Sequence, residues 1–354
     1  MNKKVQQRYA EGAKERQADL CCPVDYDPHY LKVIPDEVIE KDYGCGDPSR
    51  YIGPGDVVLD LGSGGGKICF IASQVVGPEG RVIGVDMTDD MLELARRNAP
   101  VIAEKIGYAN VEFRKGQIQD MKTDMSLVEE YLQANPVSDA DGYARLQQEI
   151  DRLRLENPLV ADGSVDIIVS NCVLNLVSDH EKRKLFREMF RVLKPGGRIA
   201  ISDIVSDKFS PAHLKEDETL WSGCISGAFQ EQEFISLLEE TGFEAIVIDK
   251  YEDDPWQVIE GIEYRSMTVL ASKNIESTAG DKKYTVMYKG PWKRVEAENG
   301  EVFERGQRQV VREKTYVKIS GNPYQDQMIT ISPGSGSKEK TSRGAAVSPP
   351  SRCC

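Results

Sequence analysis

The sequence of 354 residues has only three histidines and contains no Cys-x-x-Cys. No histidine pair stands near a cysteine pair, so zinc fingers and zinc ribbons are excluded by spacing. Apolar runs of membrane-spanning length are missing. Met1-Asn2-Lys3-Lys4 leads into a polar, helix-like segment instead of the apolar centre of a signal peptide, so the chain reads as cytosolic. Positive charge is in deficit: 45 Lys and Arg face 58 Asp and Glu, giving a net charge of −13. With no basic stripe interleaved with aromatics, DNA or RNA is disfavoured as the main substrate. Eight cysteines remain. A disulfide framework does not suit a cytosolic chain of this size, which leaves catalytic or soft-metal roles for them.

The rest is organised around Val57 to Lys67, VVLDLGSGGGK. A short β-branched run meets Asp60, then a glycine turn, then apolar Ile68, Cys69, Phe70, Ile71 and Ala72. That order reads as strand, turn and helix. The glycines let the backbone turn sharply and approach a ligand that any Cβ would block. The helix start offers unpaired N–H groups to a polar or anionic ligand. The third glycine of the dinucleotide fingerprint is missing, because Lys67 occupies its place, and no Gly-Lys-Ser/Thr follows as in a phosphate-binding loop. An acid just before the glycines, here Asp60, is instead the mark of methyltransferases that use S-adenosylmethionine (SAM). A second strand, Arg81 to Val85, ends in Asp86, about 20 residues on, where a carboxylate accepts hydrogen bonds from ribose hydroxyls. The competing role for Asp86 is capping the helix that begins near Thr88.

Further strands are predicted at 111–114, 165–170, 198–202, 244–251 and 264–273. Helices are predicted after Thr88, with a kink or restart at Pro100, and over 181–193 and 231–240. Lys194-Pro195-Gly196-Gly197 reads as a turn. Strands alternating with helices imply an α/β, doubly wound, mostly parallel sheet with its ligand beyond the carboxyl ends of the strands. Asp60, Asp86 and Asn171 stand at such ends, and Asn171 is the natural partner for the charged amino-acid portion of a cofactor. The expected divisions are an N-terminal cysteine-bearing segment, 1–56, and a methyltransferase domain, 57–273, with a surface helical insertion at 122–163. A small β-rich module, 282–332, and a disordered tail, 333–354, ending in Cys353-Cys354, complete the chain. Residues 1–20 are expected to form a loosely packed helix, and Cys45, between two glycines, an exposed and mobile loop.

Three cysteines fall where the ligand should be: Cys45 before the first strand, Cys172 beside Asn171, and Cys224 in the small-residue loop 221–227. Cys69, on an apolar helix, reads as core. Three thiolates without a histidine select a soft, thiophilic centre such as trivalent arsenic.

At this point the sequence resembles the SAM-dependent arsenite methyltransferase family. The resemblance rests on DYGCGDP (42–48), VLDLGSG (58–64), GVDMT (84–88), SNCVLNL (170–176), RVLKPGG (191–197) and WSGCISGA (221–228). It implies that Cys45, Cys172 and Cys224 bind As(III), presented as arsenite or a thiol conjugate. It further implies that Asp60, Gly62, Ser63, Gly64, Asp86, Met87 and Asn171 surround SAM. The arsenic lone pair would then take the methyl group. Family members often carry an upstream redox cysteine, a place taken here by Cys21-Cys22. A disulfide between Cys21 or Cys22 and Cys45 would form in turnover and be reset by thioredoxin or glutathione. Cys353-Cys354 offers a second dithiol that could deliver arsenite. Two other readings stay open: a SAM methyltransferase for a small organic acceptor, and a non-catalytic thiol-based arsenite binder.

Overall fold

The computed structural model describes residues 2–15, 17, 24, 26–41, 43–274, 282–321 and 323–331. Cys21, Cys22 and the tail with Cys353 and Cys354 lie outside the described residues. The chain divides into two compact units, Met1–Glu276 and Ser277–Cys354.

The first unit begins with α1 (Asn2–Lys14), α2 (Pro28–Leu31) and α3 (Asp36–Glu40). An alternating series follows: β1 (Val57–Leu61), α4 (Lys67–Val76), β2 (Arg81–Asp86), α5 (Asp89–Ile106) and β3 (Val111–Lys115). Two insertion helices, α6 (Met125–Ala134) and α7 (Ala140–Glu156), precede β4 (Val165–Asn171), α8 (Asp179–Val192) and β5 (Leu193–Ser206). The unit closes with α9 (Ala212–Glu216), α10 (Glu218–Ser222), β6 (Phe229–Gln230), α11 (Glu231–Thr241), β7 (Phe243–Tyr251), β8 (Gln257–Ile259) and β9 (Ile262–Lys273).

The main sheet has the order β3-β2-β1-β4-β5-β9-β7, with β6 paired to β5 and β8 to β9. Strands β1 to β5 pair in parallel, while β9 runs antiparallel to β5 and β7 antiparallel to β9. The chain winds outward from β1 to β3, then returns to β4 on the other side. The crevice beyond the carboxyl ends of β1 and β4 is therefore the switch point where such folds bind ligands. Alternation along β4 feeds two cores: Ile168 joins one buried cluster, Ile167 and Val169 the other. Helix α8 turns Leu185, Phe186, Met189 and Val192 onto the sheet, all fully buried. Each such side chain contributes about 1.5–3 kcal/mol.

Three local readings change. Helix α5 runs unbroken through Pro100, because its buried face, from Met91 to Ile102, spans both sides of the proline and packing holds it. The 194–197 turn is absorbed into β5: Leu193 pairs with Val165, and the register jumps before Arg198 pairs with Ile167, leaving a bulge. Helix α1 is not loose, since Val5 and Ala13 are buried, and residues 1–56 fall in the same compact unit as the sheet.

The second unit holds an antiparallel sheet of β10 (Lys283–Tyr288), β13 (Arg308–Arg312) and β14 (Met328–Ile331), with β10 central. The hairpin of β11 (Arg294–Glu296) and β12 (Val302–Glu304) and a helix that the sequence reading lacked, α12 (Glu313–Ile319), complete it. Val286, Tyr288, Phe303, Val311, Ile319 and Met328 form its core. Among the described residues no helix is long and apolar enough to cross a membrane.

Candidate functional site

A cleft of about 1020 Å³, part of it open to solvent, lies at the switch point. Its walls include Asp60, Gly62, Ser63, Gly64, Asp86, Met87 and Asn171, the residues expected around SAM, together with Cys172, expected as an arsenic ligand. The turn after β1 is shaped for close approach. Gly62 has φ +70°, and a Cβ there would sit 2.4 Å from Val173 Cγ1. The Ser63 hydroxyl is buried, with no hydrogen-bond partner among the described residues, which fits a polar ligand in the cleft.

Asp86 performs the capping role as well as facing the cleft. Its carboxylate accepts from Gly64 N at 2.9 Å and from Thr88 N at 2.8 Å, tying the glycine turn to the start of α5. Thr88 makes no cap bond through its own side chain. Burial pushes the Asp86 carboxyl up from its usual range, opposed by the N–H groups of Thr88, Gly64 and Met87. Asp60 accepts from the buried Cys69 thiol at 3.3 Å. Burial and the Asp60 charge push that thiol well up.

Asn171, expected beside the cofactor, lines the cleft and also makes contacts that the sequence did not suggest. Its Oδ1 accepts from Cys45 N at 2.8 Å and Gly46 N at 3.1 Å. Its Nδ2 donates to Gly46 O at 2.6 Å and Tyr26 OH at 3.1 Å. Both ends of the amide are engaged by the Cys45 loop, so Asn171 anchors that loop. Ser266 Oγ adds a bond to Cys45 O at 2.8 Å. The Cys45 loop is therefore not exposed and mobile: Cys45 is 5% exposed. The flanking glycines allow this contact, since a Cβ on Gly44 would lie 2.1 Å from Asn171 Nδ2.

The three candidate sulfurs do converge, in one buried cluster with Ile225 and Tyr264. They are not three free thiols. Cys45 and Cys172 are joined in a disulfide, a pairing different from the expected Cys21 or Cys22 with Cys45. Two of the three expected ligands are consumed by that bond, and among the described residues no His, Cys, Asp or Glu cluster is arranged to hold a metal ion. Cys224 is a buried thiol outside the disulfide and donates to Cys172 O at 2.9 Å. Both Cys172 (φ 57°) and Cys224 (φ 62°) take the left-handed backbone. For a non-glycine residue that conformation costs about 1–3 kcal/mol and tends to mark functional sites. Packing enforces it: Cys172 N donates to Ser202 O at 2.8 Å, and Asn175 Nδ2 holds Cys224 O at 3.1 Å. Lys182, buried and paired with Asp179, holds Gly227 O at 2.9 Å and so fixes the far end of the Cys224 loop.

Sequence reasoning missed several wall residues. Ile118 and Gln119 follow the carboxyl end of β3, where the strand-end argument used for Asp60 and Asp86 would have found them. Val5, Tyr9 and Lys41 come from the N-terminal segment outside any motif, whereas Tyr43 belongs to the quoted DYGCGDP stretch. Asp203, at the end of the strand predicted at 198–202, was given no role in the sequence reading and is not among the cleft-lining residues. It is buried at 1% exposure and accepts from Leu174 N and Ile204 N, both at 2.9 Å. Burial still pushes its carboxyl up to about 7.

The unfolded chain releases that proton near the ordinary carboxylate value. Above that value the native state holds more protons than the unfolded one, and stability falls as pH rises toward 7. Asp203→Asn should flatten this decline, read from urea midpoints at pH 5 and pH 8. An unchanged slope would remove Asp203 as its source.

Several known proteins resemble this chain. It aligns with the arsenite methyltransferase of Aquipseudomonas alcaligenes at 35% identity, covering 69% of this chain and 62% of that protein. The human arsenite methyltransferase aligns at 33% identity, covering 60% of this chain and 48% of that protein. The chain thus spans about half the length of the curated relatives it matches. A solved structure, that of an arsenic (III) S-adenosylmethionine methyltransferase from Chlamydomonas reinhardtii, aligns at 28% identity and a TM-score of 0.59. It covers 88% of this chain and 96% of that one. Residues 276–352 match a family described as a domain of unknown function. Residues 52–136 and 141–242 match the model of the methyltransferase domain, more than half of the chain. The chain belongs to the methyltransferase-domain family, and its fold is that of a SAM-dependent methyltransferase.

Proposed function

We propose that the protein methylates trivalent arsenic with SAM as methyl donor, as part of arsenic detoxification. The observation that carries this reading is the convergence of Cys45, Cys172 and Cys224 beside the cleft at the switch point. Similarity to curated arsenite methyltransferases supports it. Sulfur ligands suit a soft centre.

Asp86, Ser63 and the glycine turn would hold SAM, with Met87 and Ile118 as apolar walls. When bound, SAM supplies a methyl group on a positively charged sulfur, for which the arsenic lone pair is the acceptor. The chain's part is mainly positioning. A well-oriented pair of reactants can gain several kcal/mol of barrier reduction without a general base. The Cys45 loop is fixed by Asn171 and Ser266, and the Cys224 loop by Asn175 and Lys182, so both sulfur carriers are rigid.

The Cys45–Cys172 disulfide implies a reductive step before all three sulfurs can bind arsenic. Two thiols of a reductant of the thioredoxin or glutathione class would reduce it, yielding two protein thiols and one oxidised reductant. Reducing the purified protein should expose two more titratable thiols from this pair. Incubation with SAM and arsenite should then give methylated arsenicals, by mass spectrometry, only when the reductant is present. Arsenite binding without methylated product would favour a binder. Neither binding nor product, with SAM still bound, would favour an organic acceptor.

A further inference from the structure

We propose that Tyr9 is a positioning residue of the acceptor site, its hydroxyl orienting the Cys224 sulfur toward the substrate while its ring closes the cleft. This rests on the arsenic-methylation reading above. It assigns a role to the N-terminal helix, which neither the glycine turn nor the cysteine pattern touches.

Helix α1 is fastened on both sides of the cleft. Arg8 Nη1 donates to Thr219 O at 2.9 Å and to Ser222 Oγ at 2.7 Å, two residues before Cys224. Lys4 pairs with Glu218 on α10, and Lys14 pairs with Asp90 on α5, the helix that borders the cleft on the Asp86 side. Exposed ion pairs of this kind contribute little to stability, but they fix where the helix lies. Tyr43, the neighbour of the Cys45 loop, bonds back to Gly12 O at 3.0 Å and meets the Tyr9 ring edge to face at 6.2 Å. Val5 and Tyr9 consequently form part of the cleft wall.

The direction of the bond to sulfur follows from proton count. The Tyr9 oxygen stands 3.7 Å from Cys224 Sγ. A thiol has one proton, and that of Cys224 points to Cys172 O, which can only accept. Toward Tyr9 the sulfur must therefore accept, and the phenol donates. A donor in that position holds the sulfur in one orientation whether or not it carries its proton. A tyrosine serving only as a lid would need no hydroxyl facing sulfur.

The test uses the reduced full chain. Tyr9→Phe keeps the ring and the helix packing and removes only the hydroxyl. Loss of one such bond should raise the half-saturating arsenite concentration about 3- to 10-fold, in binding by equilibrium dialysis and in turnover. The half-saturating SAM concentration and the melting temperature should stay unchanged. In a Cys224→Ser background the same substitution should change arsenite binding less than about twofold, because coupled residues are non-additive. Arsenite constants for Tyr9→Phe within twofold of the parent would overturn the inference. So would an equal effect in both backgrounds, which would mean packing alone. A parent protein that neither binds nor methylates arsenite would bring down the functional reading, and this inference with it.

Discussion

Cys224→Ser should lower the rate of arsenite methylation by at least about 100-fold, roughly 2.7 kcal/mol at the transition state. SAM affinity should remain within about twofold. The substitution isolates softness. A serine hydroxyl can still donate to Cys172 O and accept from Tyr9, the two contacts of the Cys224 sulfur described above. The left-handed backbone at this position is no worse for serine than for cysteine. What disappears is the polarisable sulfur that a thiophilic centre requires. Product formation by mass spectrometry and SAM binding by calorimetry would decide it. Retained methylation would remove Cys224 from the arsenic ligands and leave the nucleoside side of the cleft intact.

Asn171→Ala should cost about 2–4 kcal/mol of stability and nearly abolish turnover. The side chain joins β4 to the Cys45 loop through three hydrogen bonds, involving Cys45 N, Gly46 N and Gly46 O, and makes a fourth to Tyr26 OH. Truncation leaves buried donors and acceptors unpaired, which costs more than the net strength of the bonds themselves. It also opens a space where Gly44 now fits against the amide. The predicted signature is a lowered urea midpoint and, in the reduced protein, faster alkylation of Cys45. If stability held and only SAM affinity fell, Asn171 would be a cofactor contact after all, and the anchoring role would be wrong.

Much of the scaffold was legible in the sequence because its signals are local. The β-branched run before Asp60, the glycine turn, and acids at strand ends each reflect a few consecutive residues obeying backbone sterics and hydrogen-bond geometry. The period-2 run at Tyr284, Val286 and Tyr288 announced strand β10 in the same way, and Val286 and Tyr288 do enter its core. Local signals failed where packing overrode them. Pro100 did not break α5, because the buried face on either side outweighs one lost N–H bond. The Lys194-Pro195-Gly196-Gly197 signal yielded a bulge within a strand, because Leu193 already pairs with β4.

By itself the sequence determined the α/β class, the acids and glycine turn at the strand ends, and the three loops that carry cysteine there. Those follow from periodicity, glycine and the order of elements along the chain. Only the tertiary structure decided that Cys45 is bonded to Cys172, that Asn171 grips a loop more than 120 residues away, and that Tyr9 reaches Cys224. Each of these joins segments far apart in the chain. No propensity or spacing records such meetings, because they arise only when the sheet closes and its burial holds the loops together.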